Sequence, residues 1–346
     1  MSINTILSKN RELLILCLLG ILCVPALGQM AADDWIDKGI ALAEQEQYDE
    51  AEDAYDRAIE IEPDNAMAWI GKGIAFMNQS KLDEAIIAFD KATDIDPQNE
   101  YAWLMKGSVL AVQGNLDDAI INLDKAIEIN PEYKEALIFK GVVLGYQEKY
   151  DDALDVLDQA IESDPDCAET WSYKGQVLTN MGRFDEANQA YDKATEIDPL
   201  DADIWYKKGS SLHFQYKFSE AIAAYDKATD IDPKNVDAWY WKGMAFYLQK
   251  EYDNAIKAYN KVTEIDSDYK DAWYWKGITY YDAGKYKEAL AAFNQAINID
   301  PTNAYIWYHK ANTLRMLHHD SEAKEAYAKA RELGYSGAMT PMEMTV

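Results

Sequence analysis

The sequence predicts an all-α chain, a right-handed superhelical solenoid of stacked antiparallel helix pairs, and three observations predict it. Tryptophan recurs at Trp35, Trp69, Trp103, Trp171, Trp205, Trp239, Trp273 and Trp307, spaced by 34 residues, with Leu137 in the one gap. Four residues after each position stands a glycine, from Gly39 to Gly277, until Ala311 replaces it in the last of the nine repeats. Prolines close the repeats at Pro63, Pro97, Pro131, Pro165, Pro199, Pro233 and Pro301, with Ser267 and Tyr335 as the exceptions. A fixed period of this length marks stacked units whose interfaces are all nearest-neighbour, and not closed domains.

The chain opens on a different composition. Lys9 and Arg11 precede an uncharged run from Leu13 to Gly28, and Ala26-Leu27-Gly28 places small residues where a signal peptidase cuts, leaving Gln29 first in the mature chain. The run is shorter than the ~20 residues that a spanning helix needs, and Pro25 interrupts it. Residues 1–28 are therefore expected to be a cleaved signal peptide, with a retained N-terminal hydrophobic anchor as the alternative. Either way the chain is expected to be exported and extracytoplasmic, whether secreted, at the cell surface or membrane-anchored, meeting a membrane only through this segment if it stays uncleaved. Cys17 and Cys23 fall inside the leader, so Cys167 alone remains, and one cysteine makes no intramolecular disulfide.

In the first half of each repeat, tryptophan, glycine and a following apolar residue sit at i, i+4 and i+7, one stripe of an amphipathic helix. The second half repeats that spacing with alanine, an aromatic or leucine, and alanine, as in Ala51, Tyr55 and Ala58. Glycine inside a helix costs about 1 kcal/mol relative to alanine, so its recurrence marks tight helix crossings. The tryptophans are expected to fill the space beside those crossings. Proline ends each second helix because it cannot donate the next helical hydrogen bond. Acidic pairs such as Asp49-Glu50 and Asp151-Asp152 begin the second helices, where the helix dipole favours negative charge.

Written out, W-x2-K-G-x2-[LFY]-x8-A-x3-[YFL]-x2-A-x4-P closely resembles the tetratricopeptide signature. It departs from that family in one place: lysine precedes the glycine position in all nine repeats, from Lys38 to Lys310. Such a lysine is expected to lay its stem over the core and keep its ammonium in water. The nine repeats tile residues 32–337, and residues 338–346 form a short tail. The resemblance implies that the first helices line a concave side, and that nine repeats make about one superhelical turn.

A second stripe runs along the first helices. One residue after each tryptophan position come Ile36, Ile70, Leu104, Ile138, Ser172, Tyr206, Tyr240, Tyr274 and Tyr308. Met244 and Asn312 lie one turn further on, then Tyr247, Tyr281 and Arg315, with Trp241 and Trp275 beside the aromatic end. A helix needs one apolar face for its core, so a second must meet neighbouring helices or a ligand. In the family these positions face a peptide-holding groove, so the resemblance implies a concave-groove site for a protein or peptide partner. The paired lysine and asparagine that clamp a C-terminal carboxylate in some relatives are missing here.

Other functions find little support. With 33 basic against 61 acidic residues the net charge is −28, which repels a phosphate backbone, so no nucleic acid is expected. The four histidines, His213, His309, His318 and His319, lack metal-ligand spacing, and Asp266 with Asp268 lacks the glycine and closing glutamate of a calcium loop. No phosphate-cradling loop or nucleophile elbow occurs, so no enzyme, metal or cofactor is expected. Polar residues at both ends, among them Gln45, Glu322 and Lys324, argue against end-to-end stacking and for a monomer. A self-associating envelope protein and a saccharide-binding solenoid are the alternatives.

Overall fold

The computed structural model describes residues 30–336; the expected leader at 1–28 and the tail at 338–346 lie outside the described residues. The chain divides into two compact units, Met1–Val177 and Leu178–Val346. In the first unit run α1 Ala32–Glu44, α2 Tyr48–Ile61, α3 Ala66–Asn78, α4 Leu82–Ile95, α5 Glu100–Val112, α6 Leu116–Ile129, α7 Lys134–Tyr146 and α8 Tyr150–Ser163. Helix α9, Ala168–Asn180, spans the boundary. In the second unit follow α10 Phe184–Ile197, α11 Ala202–Phe214, α12 Phe218–Ile231, α13 Val236–Leu248, α14 Tyr252–Ile265, α15 Lys270–Asp282, α16 Tyr286–Ile299, α17 Ala304–Met316 and α18 Asp320–Glu332. Among the described residues all regular structure is helical, and odd and even numbers are the first and second helices of the repeats. The fold is an all-α solenoid.

Within each unit a second helix packs between its own first helix and the next. Successive first helices also touch, α1 on α3 and α3 on α5 in the first unit, α11 on α13 and α13 on α15 in the second. Second helices stand further apart, which makes the first-helix side the inner wall of each unit.

The core differs from expectation in one respect. The largest side chains closed to solvent are Tyr191, Tyr225, Tyr259, Phe89 and Phe293 of the second helices, whereas the tryptophans remain half-exposed. Gly39, Gly73, Gly209, Gly243 and Gly277 each lie under the second-helix ring of their own repeat, and Gly107 and Gly141 under Leu123 and Leu157: a Cβ on Gly243 would come within 2.7 Å of Tyr259. The tryptophans instead close the seam between repeats. The indole Nε1 of Trp69 donates to the Pro63 carbonyl at 2.9 Å, Trp239 to Pro233 at 3.0 Å and Trp307 to Pro301 at 2.9 Å. An indole N–H against protein needs an acceptor, and the turn carbonyl six residues back supplies it. The Ser267 carbonyl accepts from Trp273 at 2.9 Å, so the bond survives without proline.

Much of the acidity is structural. Asp198, Asp232 and Asp266 each accept the backbone N–H two residues on, at 3.0, 2.9 and 2.9 Å, which shapes the turn between repeats. Side chains of Asn65, Asn99, Asp201, Asn235 and Asn303 cap first helices.

The lysine before the glycine position also departs from expectation, because its ammonium is paired. Lys72 meets Asp56 at 2.5 Å, Lys106 meets Asp90 at 2.7 Å and Lys140 meets Asp124 at 2.6 Å. Lys208 with Asp192 at 2.7 Å and Lys242 with Asp226 at 2.6 Å continue the series in the second unit. The aspartate lies sixteen residues earlier, on the preceding second helix. Each of these lysines except Lys140 also lies over a tryptophan ring, as Lys242 does at 4.2 Å from the Trp239 centroid.

Candidate functional site: the aromatic face of the first helices

The second stripe is two different surfaces. Ile36, Ile70, Leu104 and Ile138, expected on an open wall, are 7%, 2%, 8% and 7% exposed. They belong to the core. Ile70 packs with Phe89 and Met105, and Ile36 with Tyr55 and Ala68, because an aliphatic side chain of this length ends inside the cleft between adjacent helices. The first unit therefore offers no apolar stripe at these positions.

Tyrosine at the same register in the second unit is longer, and it reaches through that cleft. Tyr206, Tyr240 and Tyr274 are half-buried, each laid on the second-helix ring of its own repeat, at 6.2 Å from Tyr225, 6.1 Å from Tyr259 and 6.2 Å from Phe293. The next first helix braces them: the Trp241 indole lies near enough to the Tyr206 hydroxyl to favour its ionised form slightly, Trp275 does the same for Tyr240, and His309 packs 5.6 Å from Tyr274. Burial raises the hydroxyl pKa of all three. They stay neutral donors across the physiological range.

Tyr308 is covered differently, by Tyr335 stacked 4.2 Å away at 16°. Asn312 accepts the Tyr327 hydroxyl at 2.6 Å, so it serves the core of its own repeat. The equivalent of Asn312 beside Tyr259 is Met244, which accepts only weakly, and the Tyr259 hydroxyl is buried with no hydrogen-bond partner.

The open surface lies one turn further along. Tyr247 and Tyr281 are partly exposed, paired with Tyr252 at 6.0 Å and Tyr286 at 5.4 Å. Tyr247 donates to Asp282 at 2.8 Å, and burial followed by this bond raises its pKa. Arg315 lies near enough to Tyr281 to favour its ionised form, against a larger effect of burial. Phe214, 56% exposed, extends the row beside Trp241 at 6.4 Å. Tyr252, Tyr286 and Asp282 were not among the expected site residues. The signal for the two tyrosines was the apolar residue that opens most second helices, Tyr48, Leu82 and Phe218 among them; Asp282, at the end of α15, had none.

His213 is buried against Phe218 and Trp241, each ring 5.2 Å away, and burial lowers its pKa; its Nδ1 has no hydrogen-bond partner. Among the described residues no three histidine, cysteine, aspartate or glutamate side chains group to hold a metal. No described helix is long and apolar enough to cross a membrane.

A tetratricopeptide repeat model matches residues 36–100, 140–202, 175–235 and 206–270, a TPR repeat model matches 277–316, and a further tetratricopeptide repeat model matches 100–133. Among solved structures, a tetratricopeptide repeat protein from Parabacteroides merdae aligns with a TM-score of 0.58 at 18% identity, over 72% of this chain and 98% of that one. The APC/C hetero-tetramer Cut9-Hcn1 aligns at 0.55 and 16% identity, over 82% and 56% of the two chains. At these identities the likeness is one of fold. YrrB, described as a TPR protein with an unusual peptide-binding site, is 28% identical over 55% of this chain and 97% of its own, with a TM-score of 0.43. No curated protein matches the sequence. Nine helix pairs among the described residues, a large second-helix side chain packed on the repeat glycines and family matches between residues 36 and 316 lead to one conclusion: this chain belongs to the tetratricopeptide-repeat family.

Proposed function

We propose that this chain is a non-catalytic scaffold, exported from the cytoplasm, that holds an extended peptide segment of a partner protein along the first-helix face of its second unit. One observation carries the reading: Tyr247, Tyr281 and Phe214 stay partly open on a face already floored by Tyr240, Tyr274, Trp241 and Trp275. Aromatic side chains give large contact area with few rotatable bonds, and tyrosine adds a hydroxyl that bonds a peptide backbone. Asp282 and Arg315 at the edge of the row supply polar selection. Export rests on the leader at 1–28 alone.

Peptide-display selection on the whole mature chain tests the site. Enriched peptides should lose at least tenfold in affinity for Tyr247→Ala/Tyr281→Ala and keep it for Tyr216→Ala, a turn residue 82% exposed. Equal binding to the double variant contradicts the assignment. Self-association is the second reading, because Ile87 and Ile121 stand 60% and 58% exposed on neighbouring second helices. Light scattering that shows a concentration-independent monomer removes it.

A further inference from the structure

The pairing of lysine with aspartate breaks off in the last two repeats. From Lys72–Asp56 to Lys242–Asp226 the series is unbroken, and sixteen residues before Lys276 and Lys310 the chain carries Asn260 and Asn294 instead. Both ammoniums keep their place over tryptophan, 4.3 Å from the Trp273 centroid and 5.0 Å from that of Trp307. Neither has a carboxylate within ion-pair distance among the described residues. Glu264 acts on Lys276 only at longer range and is itself paired with Lys261 at 2.6 Å. Burial lowers the pKa of Lys276 and Lys310 by more than the distant pull of Glu264 on the first and of Glu322 on the second restores it.

The surroundings are depleted of acid in the same place. Helix α14 holds two acids and two lysines, whereas α8 holds five acids and no basic residue. Asn254 stands where each of the other eight second helices carries Glu or Asp, and Lys257 is exposed. Asn254, Lys257, Asn260 and Lys261 line one wall of a cleft of about 550 Å³ that is floored by Trp239 and Phe246 and also holds the Lys242–Asp226 pair and Glu264. In a chain of net charge −28, the asparagines at 254, 260 and 294 leave a locally less acidic surface around the two lysines. It faces away from the tyrosines: Lys276 is two residues beyond Tyr274, about 200° around the helix.

We propose that Lys276 and Lys310, with Asn260 and Asn294, form a second docking site, for two carboxylates of an acidic peptide segment of a partner protein. Each carboxylate takes the place that aspartate occupies in the preceding repeats, so the chain itself displays the geometry of the bound state. A half-buried ammonium that lacks a partner is destabilising, and a partner's carboxylate removes that cost on binding. Helices α15 and α17 touch, which sets them about 8–10 Å apart. Acids three residues apart on a polyproline II segment share one face and span about 9 Å, which matches that interval.

The test is calorimetric titration of the full chain with a hexapeptide bearing glutamate at its second and fifth positions and glycine elsewhere. Binding is expected to weaken at least tenfold in Asn260→Asp/Asn294→Asp, which supplies the carboxylates internally and should also raise the Tm. It should be lost in Lys276→Met/Lys310→Met and unchanged in Tyr247→Ala/Tyr281→Ala, which keeps this site distinct from the aromatic face. Absence of binding to the unaltered chain, or equal binding to Asn260→Asp/Asn294→Asp, overturns the proposal. So does inorganic phosphate binding more tightly than the peptide at the same lysines, which assigns the site to phosphate.

Discussion

Gly243 shows how one hydrogen atom sets the distance between two helices. The Tyr259 ring occupies the volume that a methyl group would need, and it is fully buried, with no room to retreat. Gly243→Ala gains about 1 kcal/mol of helix propensity and meets an overpacking cost of about 1–3 kcal/mol. The expected result is a net loss of up to about 2 kcal/mol in denaturant unfolding, and a stabilised variant contradicts the contact. The buried tyrosine was readable from the repeat pattern, since glycine and aromatic recur in step. Whether a side chain one residue after the tryptophan position is open was not. Isoleucine and tyrosine share that register, and only their length decides which one emerges past the neighbouring helix.

At the scale of helices, the boundaries followed from residues with a fixed physical role: asparagine or aspartate caps, acidic first turns, and proline after the second helix. The role of tryptophan did not follow, because hydropathy places it in a core while its indole N–H requires the exposed seam. The contact of α15 with α17 carries a pH dependence of its own. His309 is stacked on Phe293 and packed on Tyr274, and burial lowers its pKa against an opposing pull from Asp282. Above the ordinary value of 6.5 the imidazole is neutral in folded and unfolded chains alike. As pH falls below it the unfolded chain takes the proton first, so stability is lost until the lowered folded value is passed. His309→Phe should therefore show a smaller drop in Tm between pH 7 and pH 5 than the unaltered chain. An equal drop assigns the pH dependence to other groups.

At the scale of the molecule, the period of 34 residues specified the fold, because nine near-identical solutions to one packing problem leave few alternatives. Function is less legible, since it resides where the repeats differ. Asn260 and Asn294 are silent in a pattern that averages the repeats, yet they remove the charges that six others keep. The proposed export likewise rests on residues 1–28 alone, and if it holds, N-terminal sequencing of protein recovered from outside the cytoplasm should begin at Gln29. A chain that begins at Met1 there contradicts cleavage.

The central claim is that a partner's peptide lies along the aromatic first-helix face of the second unit. Hydroxyl-radical footprinting of the mature chain with a display-selected peptide tests it most directly. The account predicts protection of Phe214, Tyr247 and Tyr281 with Tyr216 unchanged; protection confined to other surfaces, with these three rings as reactive as in the free chain, would contradict it.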